Sequence, residues 1–213
     1  MSAVEAAPVL SPTQVRCFMD CNARWWFKYN LKHPDPPNGN LALGRAVHRA
    51  LAQNFTQKIE TYEDLPLFGV LALFRESWAF ESDQAEFRDD EDPSQLAFAG
   101  EALVGKYLDE VAPKVEPAAV ELHVEGDIGG VRVQGFIDVL DVDGWIIDIK
   151  TAKASPSSVD PMNRFQLATR RQLAPDFTFL SHEDGGVSGI SVTRKPAIAP
   201  RVRPRFNEVK PPL

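Results

Sequence analysis

The spacing of apolar residues changes from a period of about 3.6 to a period of 2 near Pro113, which divides the chain into a helical and a sheet-forming part. Before Pro113, apolar spacing and helix-start residues such as Ser11 and Pro12 predict four helices. They are expected at about residues 11–31, 41–59, 66–80 and 94–112. After Pro113, apolar and polar residues alternate as they do in strands with one buried face. Three consecutive antiparallel strands are predicted, at about residues 120–125, 131–139 and 145–150.

A further helix at about 160–173 and a strand at about 187–194 complete the predicted elements. The predicted fold class is α/β, with a helical N-terminal half and a central mixed sheet that contains an antiparallel three-strand meander flanked by helices. We predict a single domain, because 213 residues suit one hydrophobic core. Its predicted parts are a helical region, a sheet-bearing core and a proline-rich tail, at 10–112, 113–194 and 195–213.

Two carboxylates and a lysine lie in the predicted hairpin, in the segments Gly135-Phe136-Ile137-Asp138 and Asp148-Ile149-Lys150-Thr151. Asp148 and Lys150 are two residues apart, so they share one face of their strand. If the turn is a three-residue loop that ends in a left-handed Gly144, Asp138 lies directly opposite Asp148. Such cross-strand neighbours have Cβ atoms about 4.5–5.5 Å apart, close enough for two carboxylates to bind one divalent cation.

His48 is the third candidate ligand. The predicted second helix places it in the middle of an inward stripe that also contains Leu41, Gly44, Leu51 and Phe55. A histidine there is either a hydrogen-bonded core residue or a ligand, and one imidazole with two carboxylates suits Mn²⁺ or Mg²⁺. The alternative for the hairpin is an internal ion pair between Asp138 and Lys150, with Asp148 solvated at a strand end.

The net charge of −7 argues against a nucleic-acid partner until the charge is resolved along the chain. Residues 61–128 hold four Lys or Arg against seventeen Asp or Glu, whereas residues 1–60 and 129–213 each have a net charge of +3. We interpret the acidic stretch 76–92 as a solvated helix end and loop. The outer segments therefore remain available to bind a polyanion, with the acidic region facing away from it.

The composition predicts a cytoplasmic protein. The longest apolar run, 65–74, is too short to span a bilayer, and the N-terminus has no early basic residue such as a secretory signal carries. Cys17 and Cys21 cannot form a disulfide framework and suit a reducing compartment.

Several short motifs, taken in their order along the chain, resemble a known family. They are Ser11-Pro12-Thr13-Gln14, Leu43-Gly44-Arg45-Ala46-Val47-His48, Glu121, the two hairpin segments and Gln166. Over about residues 10–173 this order resembles the RecB-like branch of the PD-(D/E)XK nuclease superfamily, which includes the RecB and AddB nuclease domains, CRISPR-adaptation exonucleases and small phage exonucleases. The resemblance implies a restriction-endonuclease-like core.

The resemblance also implies roles for individual residues. It implies that the metal ligands are the side chains of His48, Asp138 and Asp148 and the carbonyl of Ile149. Lys150 matches the catalytic lysine, Glu121 an acidic position on the preceding strand, and Gln166 the glutamine of the family's Q-x-x-x-Y helix. Position 170 is Arg in place of the tyrosine.

Some relatives hold a four-cysteine iron–sulfur cluster. This chain has two cysteines, both in the predicted first helix, so no iron–sulfur cluster is expected.

The predicted function is a Mg²⁺- or Mn²⁺-dependent deoxyribonuclease, an exonuclease that hydrolyses phosphodiester bonds in DNA repair, recombination or phage DNA processing. DNA is the expected substrate, and a helicase or recombinase is a possible partner. Six basic side chains are expected to bind DNA, namely Arg45, Arg49, Lys153, Arg164, Arg170 and Arg171.

Two alternatives stay open from the sequence. The first is a non-catalytic DNA-binding or accessory protein that keeps the nuclease fold. Arg170 in place of the tyrosine and the missing cluster cysteines suggest this alternative. The second is an unrelated α/β protein with a structural ion pair between Asp138 and Lys150, in which His48 lies far from both carboxylates.

Overall fold

The computed structural model describes residues 9–151, 166, 168–170, 172–173 and 190–193. Within these residues the protein has the predicted α/β class: the N-terminal half is helical, and an antiparallel sheet packs against the helices. The helices with defined bounds are α1 Pro12–Asp20, α2 Asn22–Trp25, α3 Gly39–Thr61, α4 Leu67–Asp83 and α5 Pro93–Glu110. A π-helical turn at Trp26–Asn30 follows α2, and a 3-10 turn at Ala112–Lys114 follows α5.

The predicted first helix is two helices, because the backbone of Cys21 is extended, with φ −163° and ψ 110°. The start is as predicted: the Ser11 hydroxyl accepts a hydrogen bond from the Gln14 N–H, and the Gln14 side chain accepts one from the Ser11 N–H. At the break, the Cys21 N–H donates to the Cys17 carbonyl, and the Cys21 sulfur accepts from the Arg24 N–H. Cys21 thus ends α1 and begins α2. Its side chain competes with the backbone for the Arg24 N–H, and the spacing of apolar residues does not reveal this.

Side chains cap the N-termini of α3 and α5. Asn38 accepts from the Leu41 N–H at 2.9 Å and begins α3, while Asp92 accepts from the Ser94 N–H at 2.8 Å and begins α5. At its other end α3 stops at Tyr62, whose φ of 64° is left-handed. These caps account for helix bounds that lie within about three residues of the predicted ones.

The buried face of α3 agrees with the predicted stripe at Leu51 and Phe55 and differs from it in the first half of the helix. Leu41, which was expected to face inward, is 49% exposed. The buried apolar positions are Ala42, Leu43, Ala46, Val47, Ala50, Leu51 and Phe55. Each residue turns a helix by about 100°, so the positions just before Gly44 and His48 face the core more directly than those two do. His48 therefore lies at the border of the core, with 29% of its side chain exposed, and not in the middle of the stripe.

Four strands form one antiparallel sheet in the order β1-β2-β3-β4. Their bounds are β1 Pro117–Ile128, β2 Val131–Asp141, β3 Ile146–Thr151 and β4 Ile190–Thr193. A parallel bridge between Leu10 and Val133 adds the segment before α1 to this sheet and makes it mixed. The strand β3 changes partner along its length, because residues 146–147 pair with β2 and residues 148–151 pair with β4.

The hairpin between β2 and β3 has the predicted register and loop. Val139 pairs with Ile147. The Asp141 N–H donates to the Trp145 carbonyl at 2.9 Å, which leaves a loop of three residues between them. Gly144 ends this loop with a left-handed φ of 83°, a conformation that glycine adopts without steric cost.

Where β2 pairs with β3, the sheet is buried on both of its faces. Val139 and Ile147 belong to the larger core cluster, which contains buried residues of α3, α4 and α5. Leu140 and Ile146, one residue along the same strands, belong to a smaller cluster against which Leu173 packs. Neighbouring residues of a strand point to opposite faces, so the three long helices cover only one of them. No helix in the described part of the chain is both long enough and apolar enough to cross a membrane.

Candidate active site

The two hairpin carboxylates are neighbours at the point where β2 and β3 separate. The ladder between these strands ends at Val139 and Ile147, so Asp138 and Asp148 are the next residues along. In place of a further ladder bond, the Ile149 N–H donates to Asp138 Oδ2 at 2.8 Å. Asp138 is 6% exposed and Asp148 is 3% exposed. Carboxylates with so little access to water require positive charge close by.

Arg170 provides a positive charge to both carboxylates. Its Nη1 lies 2.5 Å from Asp148 Oδ1, and its Nη2 lies 3.4 Å from Asp138 Oδ1. Burial by itself lowers the pKa of Arg170, but the carboxylates of Asp148 and Asp138 outweigh burial and raise that pKa, so the guanidinium is charged. Lys150 also contacts Asp148 Oδ1, at 3.2 Å, and 38% of its side chain is exposed. The ion pair that the sequence suggested between Asp138 and Lys150 is therefore made by Asp148 instead.

His48 reaches the carboxylates from α3. Its Nε2 is 3.2 Å from Asp138 Oδ2, and its Nδ1 is 3.1 Å from Glu121 Oε1. Burial by itself lowers the pKa of His48, but the hydrogen bond to Asp138 and the charges of both carboxylates raise that pKa above its ordinary value. At Asp138, burial opposes ionisation, yet the bond to His48 and the charge of Arg170 outweigh it and lower the pKa of the carboxyl. These contacts therefore stabilise the charged form of the imidazole, in which both nitrogens donate, relative to that of a free histidine.

Gly44 lets α3 approach β3 closely, one turn before His48. A Cβ at this position would lie 3.0 Å from Thr151 Oγ1, which is tighter than an ordinary contact. A glycine at position 44 holds the histidine helix against the strand that carries Asp148 and Lys150.

Glu121 lies on β1 in a left-handed conformation with a φ of 50°. Its neighbours Val120 and Leu122 pair with β2 on either side of Asp138, so Glu121 lies beside that carboxylate. Burial raises the pKa of Glu121, and the charge of His48 only partly offsets this. A residue other than glycine in this conformation costs on the order of 1 kcal/mol, which marks the position as one where the surroundings impose the backbone.

Two cavities share Lys150 as part of their walls. The larger, of about 890 Å³, lies along α3, and its lining includes Gly44, Arg45, His48, Arg49, Glu121 and Ile149. The smaller, of about 340 Å³, lies at the start of α1, and its lining includes Ser11, Gln134, Phe136, Gln166 and Arg170. Lys150, which contacts the buried carboxylate of Asp148, therefore borders open space on two sides.

Arg45 and Arg49 line the larger cavity but are not free charges. Glu81 of α4 lies 2.9 Å from Arg49 Nη2 and 3.5 Å from Arg45 Nη1, and it is 5% exposed. The interpretation of residues 76–92 as a solvated, outward-facing segment is therefore wrong at Glu81, which also lines the cavity. It is wrong at Glu91 too, because that residue is 9% exposed.

A family model for the PD-(D/E)XK nuclease superfamily matches residues 9–187 of the chain. The chain belongs to the PD-(D/E)XK nuclease superfamily. No curated protein and no solved structure matches it significantly. Superfamily membership suggests a nuclease, a phosphodiesterase whose substrate is a nucleic acid. The predicted resemblance is confirmed at the level of the superfamily.

PD-(D/E)XK nucleases typically use divalent metals, and the donor chemistry of this chain fits such an ion. Carboxylates and an imidazole are accepted ligands of Mg²⁺ and Mn²⁺, and the Arg170 guanidinium already stands as a cation between two buried carboxylates. In the present arrangement, no three carboxyl, imidazole or thiol groups of the described residues are placed to hold one metal ion together. The carboxylate oxygens of Asp138 and Asp148 instead form ion pairs with His48 and Arg170.

The site joins residues that are far apart in the sequence. Six of the predicted site residues lie in one network, namely His48, Glu121, Asp138, Asp148, Lys150 and Arg170. Ile149 takes part through its N–H, and Gln166 lines the smaller cavity. The contact between His48 and Asp138 contradicts the alternative in which the histidine lies far from both carboxylates. Three predicted DNA-binding residues, Lys153, Arg164 and Arg171, lie outside the described residues.

Glu81 was missed in the sequence, although a signal for it exists. Val70, Phe74, Ser77 and Glu81 follow one another at spacings of three and four along α4, and all four are buried. Glu81 thus occupies a core-facing position of this helix. A carboxylate at such a position requires a partner, and basic residues on the packed α3 are the nearest source.

Proposed function

We propose that this protein is a Mg²⁺- or Mn²⁺-dependent deoxyribonuclease of the RecB-like branch that acts as an exonuclease. The observation that carries the proposal is that His48 and Lys150 line a cavity of about 890 Å³ and that each contacts one of the buried carboxylates, Asp138 and Asp148. These are the residue types, in the chain order, for which the sequence resembles that branch. A cavity of this size accommodates nucleotides of a DNA strand.

In this proposal the ion is held by the carboxylates of Asp138 and Asp148, the imidazole of His48 and the carbonyl of Ile149. A bound divalent ion supplies a water of lowered pKa and polarises the scissile phosphate. The Lys150 ammonium orients the attacking water and offsets negative charge that develops on the phosphate. Glu121 fixes the orientation of the His48 ring through Nδ1, so that Nε2 faces Asp138.

Substrate binding is assigned to polar side chains of both cavities. Arg45 and Arg49 contact phosphates along the larger cavity, and their shared partner Glu81 holds both guanidinium groups in place. Gln166 positions the strand in the smaller cavity. We assign the DNA end to these two cavities, which meet at Lys150. The proposed roles are DNA repair, recombination or phage DNA processing, alone or beside a helicase or recombinase.

The proposal is tested with end-labelled linear DNA and a circular DNA of the same sequence, each incubated with Mg²⁺, Mn²⁺ or EDTA. We expect degradation of the linear DNA only, and only with a metal. Asp148→Asn and Lys150→Ala should each reduce the rate by about 10²-fold or more, because each removes charge stabilisation at the reacting phosphate. Asp109→Asn and Lys106→Ala, on the distant helix α5, are matched controls that should retain the wild-type rate. Absence of cleavage, or full activity of Asp148→Asn, would contradict the proposal.

The second candidate is a non-catalytic DNA-binding protein that keeps the nuclease fold. The contacts of Arg170 with Asp138 and Asp148 favour it, since a protein cation there fulfils the structural need for positive charge without a metal. This candidate predicts that linear DNA binds and remains intact with either metal. The same assay therefore separates the two, provided that DNA binding is measured alongside cleavage.

A further inference from the structure

Arg170 takes up the carboxylate oxygens that a metal ion would need. Asp138 Oδ1 and Asp148 Oδ1 are the two oxygens that face its guanidinium, and Asp148 Oδ1 also contacts Lys150. The other oxygen of Asp138 accepts from His48 and from the Ile149 N–H. Only 11% of the Arg170 side chain is exposed, so this is a buried contact between a planar donor and two carboxylates.

A divalent ion and the guanidinium cannot share this position. Mg²⁺ requires ligand oxygens at about 2.0–2.1 Å, whereas a guanidinium hydrogen bond holds the same oxygens at about 2.7–2.9 Å from nitrogen. Two adjacent cations in a buried site also repel each other strongly.

We propose that Arg170 is a displaceable internal cation that occupies the metal position and must leave Asp138 and Asp148 before a divalent ion binds. The proposal rests on the proposed function, in which these carboxylates are metal ligands. Arg170 therefore stabilises the metal-free protein and weakens its affinity for metal. It also lines the smaller cavity beside Lys150 and Gln166, so the released guanidinium has a place to contact a DNA phosphate. By linkage, a phosphate that draws Arg170 away strengthens metal binding by the same factor as metal strengthens phosphate binding.

The test measures Mn²⁺ affinity without DNA, by the electron paramagnetic resonance signal of the free ion. Arg170→Met keeps the length of the side chain and removes its charge. We expect this variant to bind Mn²⁺ at least about tenfold more tightly than the wild type, and to have a lower melting temperature without metal that Mn²⁺ restores. The matched control is Arg75→Met, because Arg75 also contacts one carboxylate, Glu101, through two nitrogens but lines neither cavity. Its Mn²⁺ affinity should equal that of the wild type.

Equal or weaker Mn²⁺ binding by a folded Arg170→Met variant would overturn the role of Arg170 and leave the proposed nuclease intact. If neither protein binds Mn²⁺ and the wild type cleaves no DNA, both the role of Arg170 and the proposed function are overturned. A measurement on the wild type covers the case in which the variant does not fold. The side-chain N–H signals of Arg170, assigned by their loss in Arg170→Lys, should shift and exchange faster with water as Mg²⁺ is added. Unchanged Arg170 signals at saturating Mg²⁺ would refute the displacement.

Discussion

Glu91 shows how one carboxylate can join two segments that are distant in the sequence. Its oxygens accept from the Gly39 and Asn40 N–H groups at 3.0 and 3.3 Å, at the start of α3, and from the Arg88 N–H at 3.1 Å. These are N–H groups that a helix or turn leaves without internal partners. The positive end of the helix dipole adds to the interaction, because α3 is 23 residues long and begins at Gly39.

We predict that Glu91→Gln lowers stability at neutral pH and reduces its dependence on pH in acid. The hydrogen bond from the Arg88 N–H, together with those from the Gly39 and Asn40 N–H groups, lowers the pKa of Glu91 in the folded protein. These bonds outweigh burial, which by itself raises that pKa. Its stabilisation is therefore present above the ordinary pKa of a glutamic acid and is lost as the pH falls through the lowered value. Urea unfolding at a series of pH values from neutral to about 3 measures this. The difference from wild type should shrink on acidification; Asp90→Asn, at the exposed neighbour, should show no such trend.

Residue types and spacing predict the part of the site that lies within single motifs. Asp148 and Lys150 could be paired from the strand period, and Asp138 from the three-residue loop that Gly144 permits. The burial of Glu81 can be predicted from its helical spacing, but which side chains Glu81 and Arg170 contact cannot. These contacts join elements whose relative placement depends on packing of the whole sheet and of α3 against α4, and no local pattern encodes that geometry.

At the scale of elements, α5 packs closely against α3 and α4 at Gly100. A Cβ at this position would lie 2.2 Å from Phe74 Cζ and 2.7 Å from Leu43 Cδ1. Phe74 is fully buried, so neither helix can move aside without opening the core. Gly69 on α4 is the opposite case, because no atom lies within 4 Å of the Cβ that an alanine would add.

We predict opposite effects of the same substitution at these two glycines. Gly100→Ala should destabilise the protein by about 1–3 kcal/mol, because it overpacks the contact between the helices. Gly69→Ala should stabilise it by about 0.5–1 kcal/mol through helix propensity and lower backbone entropy of the unfolded chain. Chemical unfolding monitored by circular dichroism gives both values. A stabilised Gly100→Ala variant would show that the packing described for α5 is incorrect.

Most elements could be predicted from the period of apolar residues, and the exceptions have local causes. The long helices and the hairpin register agree with prediction because caps, turn glycines and alternation all favour the same structure. The break at Cys21 could not be predicted, since its sulfur takes over the Arg24 N–H without changing the apolar pattern. The buried face of α3 was misjudged because Gly44 and His48 border a cleft, and a border position has no distinct hydrophobic signature.

At the scale of the whole molecule, the position of the charges says more about binding than the net charge does. The net charge is −7, yet cations gather at the walls of the two cavities. Arg45 and Arg49 are partly balanced by Glu81, and Lys150 is partly balanced by Asp148. Under the proposed function, the attraction for DNA is therefore local and involves few phosphates.

We predict that DNA affinity falls with rising salt by an amount set by these few phosphates, and that cavity arginines contribute to this slope. For duplex DNA, the logarithm of the binding constant falls by about 0.9 per phosphate neutralised for each tenfold rise in salt. Arg49→Ala should make the slope shallower by about 1 and weaken binding at low salt. Arg75→Ala, which removes an arginine outside both cavities, is the control. Fluorescence anisotropy in EDTA, which prevents cleavage, measures both; an identical slope for Arg49→Ala and wild type would place DNA elsewhere.

The change of partner along β3 has a consequence for the timing of assembly during translation. Residues 148–151 pair with β4 alone, and β4 is the last described strand to leave the ribosome. Folding on the ribosome proceeds from the N-terminus, so the helices and the β1–β2 hairpin can form while this half of β3 still lacks its neighbour. The segment that carries Asp148 and Lys150 is therefore secured only late in synthesis. Under the proposed function, a nascent chain of this protein would therefore lack a complete active site until residue 193 has emerged.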